Sequence, residues 1–219
     1  AYAVGSHQRA AAAWAKGLFD DELVPVAVPQ RKGDPVIFAH DEGYRADATL
    51  ESLGALRAIE AKNIPGAVVT AGNASQQNDA AAACLVVAED RLDELGLEPI
   101  AWFHSWAAAG CDPSRMGIGP VPAVERLFAR TGLGWGDIDL VELNEAFAPQ
   151  VLACLKGWGW AEDDSRLDML NVNGSGISLG HPIGATGGRI LANLTRELVR
   201  RDGRYGLATM GIGGGPGIA

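Results

Sequence analysis

The chain has 219 residues, of which 47% are hydrophobic and 21% charged, and its formal net charge is −9. These values are typical of a soluble globular protein and argue against nucleic-acid binding, because Lys and Arg form no stripe that would neutralise phosphates. No apolar run approaches the ~20 residues that a membrane span needs. Three widely spaced cysteines suggest neither a disulfide framework nor a metal site, so we expect a reduced, cytoplasmic protein without a bound metal.

The first part of the chain predicts few regular elements. The alanine-rich residues 1–17 have the polar spacing of an amphipathic helix. Residues 23–28, which contain Pro25 and are followed by Pro29, are typical of an edge strand. Residues 30–48 are polar and rich in turn formers, whereas residues 49–61 repeat Leu and Ile at helical spacing behind a capping residue. Because the chain opens on Ala1 within a helical pattern, we expect a fragment or one half of a divided protein.

From Val68 onward, short apolar runs alternate with helical patterns, which indicates a layered α/β fold. The predicted strands are 84–88, 100–109, 138–143, 169–172 and 205–210. The predicted helices are 79–83, 91–96, 120–131, 145–155 and 184–200. We place a domain boundary near residue 70, which separates residues 1–70 from residues 71–219.

Glycine-bearing segments, which hold many of the 29 glycines, stand at the ends of four predicted strands, where α/β folds place their binding sites. In the first, AGNAS at 71–75, Ser75 and the backbone amides either form a turn with a helix cap or bind an amide-containing ligand. In the second, NEAF at 144–147, Asn144 is either a helix cap or a buried amide that holds a water or a carbonyl oxygen.

His181 lies in the third segment, where NVNGSG at 171–176 precedes GHPIGATG at 180–187. A histidine between glycine and proline, just before a predicted helix, is poorly placed for core filling. The amides of a helix start favour the neutral imidazole, which a general base requires. Phosphate binding is the rival interpretation, although the spacing matches neither the dinucleotide fingerprint nor the P-loop and no lysine follows.

The fourth segment, MGIGGGPG at 210–217, follows the last predicted strand. Its three consecutive glycines let a ligand meet bare backbone amides, as an oxyanion hole requires. The alternative is a flexible hairpin.

In chain order, GNAS, NEAF, NGSG-x-x-x-GHPIGATG and IGGGPG resemble the thiolases, the acetyl-CoA acetyltransferase and 3-ketoacyl-CoA thiolase enzymes. The resemblance runs from the SHQRA helix at residues 6–10 to Ala219. It implies the thiolase-like layered αβαβα fold, of which this chain has only the later part. Residues 1–70 would then be part of the loop domain that covers coenzyme A, and residues 71–219 the end of the first core half and the whole second half.

The resemblance also implies roles for individual residues. His181 would be the base that takes the proton from a cysteine nucleophile, and Asn144, through a water, would bind the thioester oxygen together with His181. Gly213 would donate its N–H to the oxyanion that forms on the acyl-cysteine intermediate. The implied coenzyme A contacts are Ser75, Met116 and Phe147 along the pantetheine and Arg45 near the nucleotide.

Two departures from the family pattern bear on activity. The nucleophilic cysteine belongs to a segment earlier than residue 1, and none of Cys84, Cys111 and Cys154 lies in a comparable glycine-rich turn. Cys84 is predicted to lie in a strand core and Cys154 in helix packing. Gly211 stands where the family has an acid/base cysteine, and losing a positioned acid/base typically costs ~10²–10⁴-fold in rate.

Two principal hypotheses follow. The chain is a thiolase-family acyltransferase that supplies the base and oxyanion hole for 3-oxoacyl-CoA thiolysis or Claisen condensation and needs an amino-terminal half for its nucleophile. Alternatively, it is a catalytically impaired subunit that binds coenzyme A or acts as a scaffold, which Gly211 favours. Both predict acyl-CoA or coenzyme A as a substrate rather than a permanently bound cofactor, the amino-terminal thiolase half as a partner, and a homo- or hetero-oligomer. A generic α/β phosphate-binding domain is the third interpretation.

Overall fold

The computed structural model describes residues 1–219 as an α/β structure of seven α-helices and six strands. The α-helices are α1 (Tyr2–Ala15), α2 (Leu50–Gly54), α3 (Leu92–Leu95), α4 (Pro120–Thr131), α5 (Ala148–Gly157), α6 (Gly176–Leu179) and α7 (Ile183–Arg200). Short 3-10 helices span Glu89–Arg91, Pro113–Ile118, Trp135–Asp137 and Ser165–Met169. The strands are β1 (Val26–Val28), β2 (Val36–Phe38), β3 (Ala108–Gly110), β4 (Leu140–Leu143), β5 (Gly206–Gly211) and β6 (Pro216–Ile218). No helix combines the length and the apolar character that crossing a membrane requires.

Four strands form the central sheet, in the order β3-β6-β5-β4. β4 and β5 are parallel, with Leu143 opposite Thr209, whereas β6 is antiparallel to both β5 and β3. Parallel neighbours need a long crossover, which here is the chain from α5 to α7. The carboxyl ends of β4 and β5 therefore lie side by side. The remaining strands, β1 and β2, form a separate antiparallel hairpin.

Helices pack against both faces of this sheet. Successive side chains of β4 point to opposite faces, so each face presents apolar side chains to a helix. Val141 and Leu143 pack with α4 and α5 in the main core. Leu140, in contrast, packs against Leu194 and Leu198 of α7. The layered α/β fold that the sequence predicts is thus confirmed.

The amino-terminal part agrees with the sequence in its first elements. The helix predicted at the start is present as α1, and the predicted edge strand is shortened to β1. The helix predicted over 49–61 is wrong beyond its first turns: Thr49 caps α2, which ends five residues later. Leu56 and Ile59 remain exposed, so no apolar surface supports the later turns. The domain boundary near residue 70 stays a prediction.

The largest disagreement precedes β3. The helix predicted at 79–83 and the buried strand predicted at 84–88 form no regular element, and only the end of the strand predicted at 100–109 pairs, as β3. Leu85 is 78% exposed, and Cys84 beside it is also exposed rather than in a strand core. A strand needs partners for its N–H and C=O groups, and no other strand of the chain pairs with 84–88.

The strand predicted at 169–172 is reduced to an isolated bridge between Leu170 and Val141 of β4. The backbone of Asn171 is left-handed, with φ +46°, which interrupts an extended chain. Its side chain does the pairing instead: Oδ1 accepts the N–H of Leu143 at 2.9 Å, and Nδ2 donates to the Leu143 carbonyl at 2.8 Å. Its own N–H donates to the carbonyl of Val141 at 2.9 Å. Asn171 thus satisfies backbone groups of the edge strand β4.

The face of β4 towards α7 also carries a buried carboxyl group. Glu142 lies 4.0 Å from the guanidinium of Arg189, and burial raises the pKa of Glu142 to about 8 although Arg189 opposes the shift. In the unfolded chain a glutamate titrates near pH ~4.3. Because the folded-state pKa is the higher one, the folded chain binds the proton of Glu142 more tightly than the unfolded chain does. The resulting stabilisation of the fold is fully present below the unfolded pKa and is lost as the pH rises through about 8.

We therefore expect Glu142→Gln to become more stable relative to the parent chain as the pH rises. Glutamine cannot ionise, so between pH 5 and pH 9 the difference in free energy of unfolding should move by roughly 3–4 kcal/mol in favour of the variant. Urea denaturation followed by tryptophan fluorescence at both pH values measures this. Glu98→Gln, at an exposed position, is the matched control. Parallel pH profiles for Glu142→Gln and the parent chain would contradict the assignment.

Candidate functional site

His181 occupies the turn that leads into α7. Its main-chain N–H donates to Oδ1 of Asn78 at 3.0 Å, and its Nδ1 lies 2.7 Å from Oγ1 of Thr186. Gly180 is left-handed, with φ +90°, and a Cβ there would collide with the Asn78 amide, so this close approach requires glycine. Burial, assisted by the positive charge of Arg189, lowers the pKa of His181, which favours the neutral imidazole. The neutral form expected from the helix start thus arises mainly from burial.

Asn144 is the first residue after β4 and is only 2% exposed. Its N–H donates to the carbonyl of Thr209 in β5 at 3.0 Å, which continues the parallel pairing. It is not a helix cap, because Phe147 precedes the first residue of α5. The side-chain Oδ1 is buried and has no hydrogen-bond partner in the chain. Such an oxygen is rare in folded proteins and suits a water or a polar ligand.

Glu145 is the polar centre of this region, and the sequence analysis missed it. Its fully buried carboxylate accepts hydrogen bonds from the Tyr2 hydroxyl at 2.9 Å, the Ser6 hydroxyl at 2.5 Å, Nδ2 of Asn171 at 3.1 Å and the N–H of Ile177 at 3.3 Å. A buried carboxylate needs such partners to offset its desolvation. The signal available in the sequence was an acidic residue two positions after the end of a predicted buried strand.

The segment at 71–78 ties these parts to one another. The N–H of Ser75 donates to the carbonyl of Ala146 at 2.9 Å, and an isolated bridge pairs Phe147 with the residue before Ser75. Nε2 of Gln76 donates to a main-chain carbonyl of α6 at 3.3 Å, while Asn78 holds the turn before α7. No helix follows Ser75, so the cap interpretation is wrong and the segment instead pairs with NEAF.

The last glycine segment is the turn between β5 and β6. A Cβ on Gly211 would lie 3.2 Å from the carbonyl oxygen of Met116 and 3.6 Å from Cδ of Pro120. The turn closes when the N–H of Ile212 donates to a carbonyl of β6 at 2.8 Å. Gly213 is exposed at the tip, and its N–H makes no hydrogen bond within the chain. The segment is therefore a hairpin with two uncommitted donors, the N–H groups of Gly213 and Gly214.

The other two predicted coenzyme A contacts, Met116 and Arg45, are not part of this hydrogen-bonded group of segments. The Met116 side chain is half exposed, beside the end of β5. Arg45 is exposed on the loop before α2, and its N–H donates to Nδ1 of His7 in α1 at 3.2 Å. The structure thus joins Asn144 and His181 through hydrogen-bonded segments, whereas no hydrogen bond connects Arg45 to either.

None of the three cysteines is arranged as a nucleophile. Cys154 is buried in α5, as predicted; its thiol donates to the carbonyl of Gly117 at 3.3 Å, and burial raises the pKa of Cys154 to about 12. Cys111 points its sulfur at the carbonyl of Gly215 at 3.1 Å. Neither they nor Cys84 hydrogen-bonds His181. No group of three or more His, Cys, Asp and Glu side chains is arranged to hold a metal ion.

The sheet and the segments at its carboxyl end define a layered α/β protein of the thiolase fold, and comparisons with known proteins agree. The thiolase N-terminal domain matches residues 1–90, and the thiolase C-terminal domain matches residues 97–219. The chain therefore belongs to the thiolase family.

Individual relatives carry related names. The acetyl-CoA acetyltransferase of Chromobacterium violaceum is 49% identical over 219 residues, which is all of this chain and 54% of that protein. The beta-ketoadipyl-CoA thiolase of Acinetobacter baylyi is 44% identical over 218 residues, or 53% of that protein. The crystal structures of Bacillus anthracis acetyl-CoA acetyltransferase and human mitochondrial 3-ketoacyl-CoA thiolase superpose with TM-scores of 0.88 and 0.86, at 41% and 40% identity. Each superposition covers 99% of this chain and 52% or 53% of the other. The chain thus spans about half the length of the curated relatives it matches.

The close packing of α6 against NEAF yields a test. A Cβ on Gly176 would lie 2.6 Å from the carbonyl oxygen of Glu145 and 2.9 Å from Oδ1 of Asn144, so Gly176→Ala should lower the free energy of unfolding by roughly 1–3 kcal/mol. Gly187→Ala, within α7 and free of neighbours, is the matched control and should be neutral or stabilising by up to ~1 kcal/mol. Urea midpoints measure both; equal midpoints would rule out the packing argument.

Proposed function

We propose that this chain is the part of a thiolase-type acyl-CoA acyltransferase that supplies the general base and the oxyanion hole. An amino-terminal thiolase half, as a separate chain or a preceding segment, brings the nucleophilic cysteine. The observation that carries the proposal is the joining of NEAF, segment 71–78 and the His181 turn by hydrogen bonds at the carboxyl end of the sheet. The names of the relatives agree with acyl transfer on coenzyme A.

The proposed base is His181. Its lowered pKa favours the neutral imidazole, and Nδ1 is already engaged with Thr186, so Nε2 remains to accept a thiol proton. The resulting thiolate attacks the 3-oxo carbonyl of a 3-oxoacyl-CoA. The bond between C2 and C3 then breaks, and its electron pair leaves with C2 as the enolate of acetyl-CoA, which takes up a proton to give acetyl-CoA. The acyl group stays on sulfur until a second molecule, coenzyme A in the thiolytic direction, removes it. Condensation of two acyl-CoAs is the reverse reaction.

The proposed oxyanion hole has two parts. Oδ1 of Asn144, buried and unpartnered, accepts one hydrogen of a water whose other hydrogen points at the thioester oxygen, next to His181. The uncommitted N–H of Gly213 stabilises the oxyanion that forms on the acyl-cysteine. Loss of one such donor typically costs ~10²–10³-fold in rate.

Coenzyme A is proposed to bind as a substrate and not as a permanent cofactor. Ser75 and Phe147, which adjoin through the pairing of their segments, and the half-exposed Met116 are the proposed pantetheine contacts. Arg45, exposed on its loop, is the proposed contact to the nucleotide end. A cytoplasmic homo- or hetero-oligomer remains part of this proposal.

Acyl-enzyme formation tests the proposal. We expect the chain, co-expressed with the amino-terminal portion of the Chromobacterium violaceum relative, to yield a complex that gains one acetyl group after incubation with acetyl-CoA. Intact-mass spectrometry measures the acetylation, and His181→Ala should slow it by ~10²–10⁴-fold. A complex that neither binds coenzyme A nor becomes acetylated would overturn the proposal.

A catalytically impaired subunit is the second candidate, and Gly211 is the observation that favours it. Glycine carries no group that transfers the proton at the α-carbon of the substrate. The carbonyl of Met116, 3.2 Å from a Cβ at this position, leaves room for a small side chain after a shift of a few tenths of an ångström.

Gly211→Cys distinguishes the two candidates in the same complex. If the rest of the site is competent, the cysteine should raise the thiolysis rate by ~10²–10⁴-fold, measured by the loss of 3-oxoacyl-CoA absorbance. Gly211→Ala adds the Cβ without the thiol and should give no gain. A Gly211→Cys complex as slow as its parent would favour the non-enzymatic role.

A further inference from the structure

We propose that Thr186 is the positioning residue for His181: its hydroxyl oxygen accepts the hydrogen bond of Nδ1–H, which leaves Nε2 unprotonated. The inference deepens the proposed function and rests on it, because a bare Nε2 matters only if His181 is the base. A neutral imidazole has a single N–H, so the partner of one ring nitrogen decides the protonation of the other.

The geometry commits the Thr186 hydroxyl to His181. The side chain is fully buried, and Oγ1 lies 2.7 Å from Nδ1. No other hydrogen bond of this hydroxyl occurs in the chain. Thr195, further along α7, shows the usual alternative: its hydroxyl donates to the carbonyl four residues earlier, at 2.8 Å.

The main chain around the turn explains this difference. The carbonyl that is four residues before Thr186 belongs to Pro182, and it accepts the N–H of Ala185 at 2.6 Å. The hydroxyl makes no bond to it and is directed to the imidazole. Since the N–H of His181 is also held by Asn78, the main chain and the ring of the histidine each have one fixed partner.

The role follows from the protonation states of a base. Both the neutral base and the imidazolium that forms on proton uptake carry Nδ1–H, and each needs an acceptor at that nitrogen. Without an acceptor, a half-buried Nδ1–H loses a hydrogen bond, and the ring is expected to shift to the Nε2–H form, which cannot accept a proton at Nε2. A hydroxyl oxygen supplies this acceptor; a methyl group does not.

The test reads the tautomer directly and needs no activity. Long-range ¹H–¹⁵N spectra of the chain at pH 7.5 distinguish the protonated from the bare ring nitrogen, and His181→Gln identifies the His181 signals among the four histidines. We expect Nδ1 protonated and Nε2 bare in the parent chain and in Thr186→Ser. Thr186→Val should move the ring to the Nε2–H form. Thr195→Val is the matched control and should leave the spectrum unchanged.

Two results would overturn the proposal: a protonated Nε2 in the parent chain, which is read without any variant, or an unchanged tautomer in Thr186→Val. In the completed enzyme, Thr186→Val should lower the acylation rate constant by roughly 10–100-fold with little change in the half-saturating acetyl-CoA concentration, and Thr186→Ser should restore it. Failure of all acylation, together with the expected tautomer, would count against the proposed function and not against the role of Thr186.

Discussion

The buried carboxylate of Glu145 is the constraint on which the arrangement of this chain depends. A charge removed from water is costly unless hydrogen bonds replace its hydration, and here the replacements come from distant parts of the sequence. Tyr2 and Ser6 bring α1 to the end of β4, while Asn171 and the N–H of Ile177 bring the NVNGSG segment and α6. Satisfying one carboxylate therefore fixes where the first helix lies relative to the sheet.

The candidate site is built around this fixed point. Asn144 precedes Glu145 directly and is paired with β5, so its buried amide has little freedom to turn. Gly176 allows α6 to touch the same residues. Segment 71–78 is hydrogen-bonded both to NEAF and, through Asn78, to the main chain of His181. The polar groups thus sit on the ends of strands and the starts of helices, which orient side chains more accurately than free loops do.

Much of the site was visible in the sequence because its motifs are contiguous. Asn144, His181 and the turn containing Gly213 were found from the residues and their neighbours. Glu145 was missed because its partners come from residues that are distant in sequence and show no spacing pattern. Asn171 was placed in a strand for a similar reason: an apolar run predicts extended chain, whereas the pairing with Leu143 depends on a side chain.

The sequence by itself determined the elements that local periodicity and caps specify, such as α4, α7 and the start of α2. It also determined the glycine-rich segments and the family they indicate. Only the tertiary structure decided whether an apolar run becomes a strand, as at 84–88, which stays unpaired. The physical reason is that helical hydrogen bonds close within a few residues, whereas a strand, a buried carboxylate or an imidazole tautomer depends on partners supplied from elsewhere in the fold.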